Sequence, residues 1–301
     1  MSRIIVVGAG VVGLSVAVEL LGEGHRVDVV ARDLPRETTS AVAAAIWYPH
    51  LLDPDPRVLG WAEMSYRVLA GIAASDPESG VRLVHGTEVL SEPTAVPWWV
   101  SAVPDLRSVR DVPEPYDTGW QFTAPVVEMP RYLDWLGAEV HRLGGSITRL
   151  NVSALPEGAD AVVNCSGLGA RHLGADPSVR PVRGQVVLVE QVGLDTWWLD
   201  GAGPTYVVPR EHDIVVGGTH EDGEWSRTPS PASTSAILAR AMRLVPDLVG
   251  GTVLGTRVGL RPWRPVVRLD RDRDVVHCYG HGGAGVTLSW GCAREVAALL
   301  S

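Results

Sequence analysis

Lysine is absent from this chain of 301 residues, and all 26 basic side chains are arginine. With no primary amine on a flexible stem there is no Schiff-base nucleophile and no P-loop lysine. Positive charge is in deficit as well: 26 basic against 35 acidic groups give a formal net charge of -9. The electrostatic footprint of a nucleic-acid or anionic-membrane binder is therefore missing. Cysteine is scarce, at Cys165, Cys278 and Cys292 only. The three have no metal-ligand spacing and make no disulfide framework, which points to a reduced, cytoplasmic setting. His277 and His281 are four apart but fall on a strand and a glycine turn, not on one helix face. They read as hydrogen-bonded structural histidines, and no metal is expected. Long apolar runs are lacking too. The stretch Ile4 to Leu21 is interrupted by Gly8, Gly10, Gly13 and Glu19 and has only Arg3 before it, so it reads as a buried strand and helix rather than a leader or membrane span.

What remains is a globular composition, 46% hydrophobic and 20% charged, in a chain long enough for roughly two domains. Ile4–Val7, a glycine turn, a helical Leu14–Leu21 and the strand Arg26–Ala31 make a βαβ unit. Helices are expected over Arg57–Ala74, Pro130–Leu143, Ser233–Leu244 and Val286–Leu300. Strands are expected over Ser146–Val152, Ala161–Asn164, Gln185–Glu190, Tyr206–Val208, Ile214–Gly217 and Val275–Tyr279, with strand-like runs cut by prolines between Val81 and Asp111. Nucleotide-type pieces thus lie at both ends and in the middle, and the stretches between are richer in tryptophan and proline. This predicts an α/β fold: a discontinuous Rossmann-like domain (1–50, 140–184 and 255–301) with an inserted α+β substrate domain (51–139 and 185–254) built on a mostly antiparallel sheet.

The first glycine turn, Gly8-Ala9-Gly10-Val11-Val12-Gly13, sits between strand and helix. Gly8 permits the tight turn, Gly10 lets the backbone approach a pyrophosphate, and Gly13 lets the helix pack on the strand. The helix start offers N–H groups and partial positive charge to the phosphates. Twenty residues after Gly13 stands Asp33, placed to bind a ribose hydroxyl, with Arg32 beside it. This fingerprint alone does not separate FAD from NAD(P). A second glycine turn, Tyr279-Gly280-His281-Gly282-Gly283-Ala284-Gly285, also follows a strand and opens a helix. Two such helix starts in one chain fit a single extended cofactor held at both ends, the second dipole aimed at a flavin ring.

Taken together, Val6 to Ser15, Ala31 to Pro35, Arg183-Gly184-Gln185, Gly259-Leu260-Arg261-Pro262-Trp263-Arg264-Pro265 and Tyr279 to Gly283 resemble the D-amino-acid oxidase family over essentially the whole chain. The resemblance implies FAD, oxygen as acceptor, and oxidative deamination of D-amino acids. In that family pattern Arg261 matches the arginine that grips the substrate carboxylate, Tyr206 the tyrosine that adds a hydrogen bond, and the Gly283 carbonyl the acceptor for the substrate amine. Tyr48, Ile46, Val208, Trp198 and Ala202 are expected to line the substrate pocket. The cofactor contacts implied are Gly8 to Gly13, Arg32, Asp33, Thr38, Thr39, Ser40, Ala45, Ile46, Val152, Ser166, Gly282, Gly283, Gly285, Val286 and Thr287. The run Asp200-Gly201-Ala202-Gly203-Pro204 departs from the pattern. Where many relatives have a longer lid with a further tyrosine, this chain has Ala202. The substrate class expected is neutral or hydrophobic, since an acidic one calls for a second cation such as His50 or Arg210. A glycine- or sarcosine-type amine oxidase, a dehydrogenase and a non-catalytic flavin subunit are the alternatives. No nucleic acid or membrane partner is expected, and a homodimer is.

Overall fold

The structure is a computed structural model that describes residues 1–49 and 52–301. The amino-terminal pattern folds as its periodicity dictates. Strand β1 (Arg3–Val7) is buried beyond its first residue, helix α1 (Val11–Gly22) follows, and β2 (Arg26–Ala31) pairs parallel to β1. The turn between them leaves no room for side chains. Gly8 has φ 118°, and a Cβ there would sit 2.4 Å from the Cys165 carbonyl oxygen. A Cβ on Gly13 would sit 2.0 Å from the Gly8 carbonyl oxygen, so helix and strand meet backbone to backbone.

The chain then leaves this unit. Helix α2 (Pro56–Ser75) begins under an Asp55 cap whose carboxylate accepts from the N–H groups of Arg57 and Val58. It leads to β3 (Val81–Leu90), β4 (Arg107–Val109) and β5 (Thr118–Val127). Helix α3 (Met129–Arg142) and β6 (Ser146–Arg149) return to the edge of β2, and β7 (Ala161–Asn164) joins the other side of β1. After the short α4 (Ala170–Leu173) come β8 (Arg180–Glu190), β9 (Trp197–Asp200), β10 (Tyr206–Pro209), β11 (Asp213–Gly217) and β12 (Glu221–Asp222). Helix α5 (Pro231–Leu244), β13 (Val253–Asp272), β14 (Val275–His281) and α6 (Gly285–Leu300) complete the chain.

All strands join one sheet in the order β4-β5-β3-β9-β10-β11-β8-β13-β14-β7-β1-β2-β6, with β12 beside β8. The end β14-β7-β1-β2-β6 is parallel throughout, as crossover helices require. The remainder is antiparallel except where β3 meets β9. The α/β class with a mostly antiparallel second part therefore holds. Strand β13 joins the two parts. Its first half pairs with β8 from Val253 to Trp263, and its second half with β14 from Trp263 to Asp272. The register shifts between Trp263 and Arg268, where Pro265 has no N–H to give.

The core between α2 and the antiparallel strands is aromatic. Trp47, Trp99, Phe122 and Trp197 form a chain of tilted and edge-on rings with centroids 6.0, 5.1 and 4.7 Å apart. Helix α6 packs on α1 and α2, and its contact with α2 depends on Gly291. A Cβ there would lie 2.2 Å from Trp61 Cα and 2.4 Å from its carbonyl oxygen. Ser65 Oγ, on the same face of α2, accepts from the N–H groups of Trp290 and Gly291 at 3.1 and 3.0 Å. Gly291→Ala should therefore overpack a backbone-to-backbone contact and cost about 2–3 kcal/mol. A melting curve of the variant should show a clear drop in Tm, and an unchanged Tm would mean that α2 and α6 can separate freely.

Candidate functional site

A cavity of ≈ 810 Å³ opens along the parallel end of the sheet and runs onto the face of β8, β10 and β13. That size lies within the range of about 300–1,000 Å³ usual for cofactor and ligand sites. The turns Gly8–Gly13 and Gly282–Gly283 form its floor together with Gly285 and Val286. Helix α1 starts at a Gly10 N-cap and α6 at an Ala284 N-cap, and neither cap residue supplies a capping side chain. Both helix starts keep positive ends directed at the cavity. They stand side by side: a Cβ on Gly285 would touch Val11 at 3.7 Å. This is closer than the expectation of one helix start at each end of a cofactor.

The far end is made by Arg32, Asp33, Leu150, Asn151 and Val152. Arg32 donates to both carboxylate oxygens of Asp33, Nε to Oδ1 at 3.0 Å and Nη2 to Oδ2 at 2.6 Å. The hydrogen bond from Arg32 holds the Asp33 carboxyl below its ordinary range. Asp33 therefore stays an acceptor for a hydroxyl, and Arg32 is committed to it. Thr38, Thr39 and Ser40 line the middle. Each also makes a hydrogen bond to the backbone. Thr38 Oγ1 donates to the Pro35 carbonyl, Thr39 Oγ1 donates to the Leu260 carbonyl, and Ser40 Oγ accepts from Val11 N–H at 3.1 Å.

The near end is set by the two-residue period of the sheet. Gly184 and Val186 on β8, Gly259 and Arg261 on β13, and Tyr206 on β10 share one face, and all five line the cavity. Glycines clear this face. A Cβ on Gly184 would meet the Arg261 guanidinium at 2.3 Å, and one on Gly217 would meet the Tyr206 ring at 1.9 Å. The guanidinium therefore lies flat on β8 with Nη1 donating to the Thr219 carbonyl at 3.0 Å, beside the Tyr206 hydroxyl. Burial raises the Tyr206 pKa, and Arg261 only partly opposes this. The phenol keeps its proton and can donate. Arg261 thus presents a fork, and Tyr206 a single donor, to one planar anion.

Sequence comparison and fold comparison agree. The family described as FAD dependent oxidoreductase matches residues 3–299. The chain belongs to that family. It is 50% identical over 312 residues to a D-amino-acid oxidase of Rubrobacter xylanophilus, covering 99% of this chain and 95% of that one. It is 38% identical over 324 residues to a human D-aspartate oxidase, covering 100% and 95%. The crystal structure of a glycine oxidase from Geobacillus kaustophilus superposes with a TM-score of 0.86 at 21% identity, covering 100% of this chain and 95% of that one.

The cavity of this FAD-dependent oxidoreductase fits its cofactor. Glycine-opened turns lead to two helix starts, and the Asp33 carboxylate at the far end can accept from a hydroxyl. Val152, Ser166 and Gly283 line the same space. Other expected contacts lie elsewhere. Ala45 accepts from Val127 N–H, and Ile46 bridges to Val126, so both join β5. Thr287 is buried and exchanges hydrogen bonds with the backbone of Tyr48, Oγ1 accepting from N–H at 3.2 Å and donating to C=O at 2.9 Å. The Tyr48 hydroxyl donates to Glu88 Oε1 at 2.6 Å. Val208 shares the face of Tyr206 but is fully buried in the core. Trp198 is directed to the opposite face, because it pairs with Val207, and it packs in a second core. Ala202 sits in an exposed tight turn in which its N–H donates to Asp200 Oδ1. That turn closes with Gly203 N–H donating to the Asp200 carbonyl. Arg210 is bound by both oxygens of Asp213, and His50 lies outside the described residues.

Several cavity residues carry no signal in the sequence, among them Trp225, Arg227 and Cys165. Their alignment depends on strand pairing between distant segments. The Arg183-Gly184-Gln185 run and the strand expected over Gln185–Glu190 give notice of β8. His277 has a polar neighbour, Asn164 Nδ2 at 3.3 Å, but His281 Nε2 is buried with no partner, against expectation. Gly10→Val should put a branched side chain into the cofactor channel, where only Ser40 Oγ now stands within 4 Å. The purified variant should lack the flavin absorbance of the parent, and full flavin content would remove Gly10 from the phosphate cradle.

Proposed function

We propose that this enzyme is a D-amino-acid oxidase acting on neutral or hydrophobic D-amino acids and oxygen, and releasing an imino acid and hydrogen peroxide. The observation that carries the reading is the Arg261 fork beside a protonated Tyr206 on a glycine-cleared sheet face, in one cavity with the Gly282–Gly283 turn. The relative from Rubrobacter xylanophilus, a D-amino-acid oxidase, supports it. Arg261 holds the substrate carboxylate through two parallel N–H donors, and the Tyr206 hydroxyl donates a third hydrogen bond. The Gly283 carbonyl accepts from the substrate amine. Bound FAD supplies the two-electron acceptor that oxygen regenerates. With carboxylate and amine both fixed, Cα is held in one orientation, and the amine lone pair drives loss of hydride from it. The wall therefore positions the substrate and does not have to supply a base.

His220 lies near Arg261, and burial together with that cation lowers its pKa. The division into a cofactor domain (1–50, 140–184 and 255–301) and a substrate domain (51–139 and 185–254) belongs to the same proposal. It is supported by the parallel strands β1, β2, β6, β7 and β14, all of which fall in the first set. No helix among the described residues is long and apolar enough to cross a membrane. A cytoplasmic setting is proposed on the three unpaired, buried thiols. A homodimer is proposed on the exposed Val192, Val249, Val253 and Leu254.

Anaerobic titration with D-alanine and D-valine should bleach the flavin, and D-aspartate should not. Retention of colour with all three would overturn the reading. Arg261→Ala should lower kcat/KM roughly 30- to 150-fold, about 2–3 kcal/mol for a lost charged partner, with most of the effect in KM. A parental KM would take Arg261 out of the site. Tyr206→Phe should cost about 1–2 kcal/mol in steady-state kinetics, the range of a single hydrogen bond to a charged group, and an unaltered kcat/KM would make Tyr206 a packing residue.

A further inference from the structure

All three cysteines of the chain meet at one buried point, although they are far apart in sequence. The ligand atoms of Cys278 on β14, His281 at its end and Cys292 on α6 lie within 4.8 Å of one another. Cys165 follows the last residue of β7, and its thiol lies beside that of Cys278. Pairing brings them together. The parallel β7–β14 ladder ends at Asn164 opposite His277, and Cys165 and Cys278 come next on the two strands. His277 is engaged with Asn164. His281 is 5% exposed, and its Nε2 has no hydrogen-bond partner. A buried imidazole nitrogen without a partner is uncommon enough to need an explanation.

We propose that Cys278, His281 and Cys292, with Cys165 as the fourth ligand, form a site for a thiophilic divalent cation of the zinc class. Thiolates and an imidazole select zinc or cadmium, whereas magnesium and calcium require oxygen ligands, and no carboxylate belongs to the cluster. Bond lengths of about 2.3 Å to sulfur and 2.0–2.1 Å to nitrogen require the ligand atoms of Cys278, His281 and Cys292, which lie within 4.8 Å of one another, to converge on the ion, with Cys165 closing in from β7. The site would tie β7, β14 and α6 together behind the phosphate-binding turn, since Cys165, Cys278 and His281 also form part of the cavity wall.

The test uses the FAD-loaded enzyme, reduced and freed of metal with a chelator, then titrated with cadmium chloride. The expected result is a sulfur-to-cadmium charge-transfer absorption in the ultraviolet that saturates at one equivalent and is displaced by zinc chloride. Cys278→Ser should abolish it, and Cys292→Ser should weaken binding at least tenfold. Zinc should raise the Tm of the parent enzyme and not that of Cys278→Ser. Flavin absorbance checks that each variant has folded, and Cys292, which is off the cavity wall, serves if Cys278→Ser does not fold. Absence of the charge-transfer band, or a band unchanged in either variant, overturns the site. Neither readout depends on turnover of a D-amino acid.

Discussion

Continuity of β13 is the constraint on which the rest depends. One strand of 20 residues serves both parts of the sheet, pairing with β8 and then with β14. Arg261 stands near the changeover, on the face it shares with Gly184 and Tyr206. Its position is fixed by the ladder to β8, where it pairs with Val182, and by the Thr219 carbonyl. A guanidinium on a loop would lose side-chain entropy each time it gripped a carboxylate. On β13 most of that ordering has already taken place on folding.

Electrostatics then follow from what glycine leaves out. Two helix starts turn their partial positive charge into one cavity because glycines open the turns of residues 8–13 and 282–285, and Ser40 Oγ takes the Val11 N–H. The Arg32–Asp33 pair closes the far end with its charges satisfied, and Arg261 supplies the one directed cation at the near end. A hydroxyl kept protonated by burial, at Tyr206, complements that cation without competing for it. Positive potential is thus spread along the cavity and graded from backbone dipoles to a full charge.

Local pattern carried much of this architecture. The βαβ unit, α3 and the strand Ala161–Asn164 stand where periodicity and glycine stops put them, because each is a short-range signal. Strand β13 was not legible: no strand is expected from the pattern of Val253–Asp272, which contains Pro262 and Pro265, and only pairing across the sheet accommodates them. Likewise Val81–Leu90 is a single strand, although the prolines after it made the region look fragmented. At the site, Gly8–Gly13, Arg32–Asp33 and Gly282–Gly283 line the cavity, each carried by a local motif. Trp198 was misplaced because the face of a strand depends on register, and a one-residue difference reverses it. The convergence of Cys165, Cys278 and Cys292 was invisible for the same reason, since no spacing in the chain encodes the neighbourhood of β7, β14 and α6.

Trp225 stands on the segment after β12 at the rim of the cavity, with 55% of its surface in solvent. Ten other tryptophans share the chain, and several of them are fixed in the core with constant surroundings. An indole at the rim exchanges water for cofactor whenever the cavity fills. The emission of this one side chain is therefore a built-in optical gauge of occupancy, readable without any added dye.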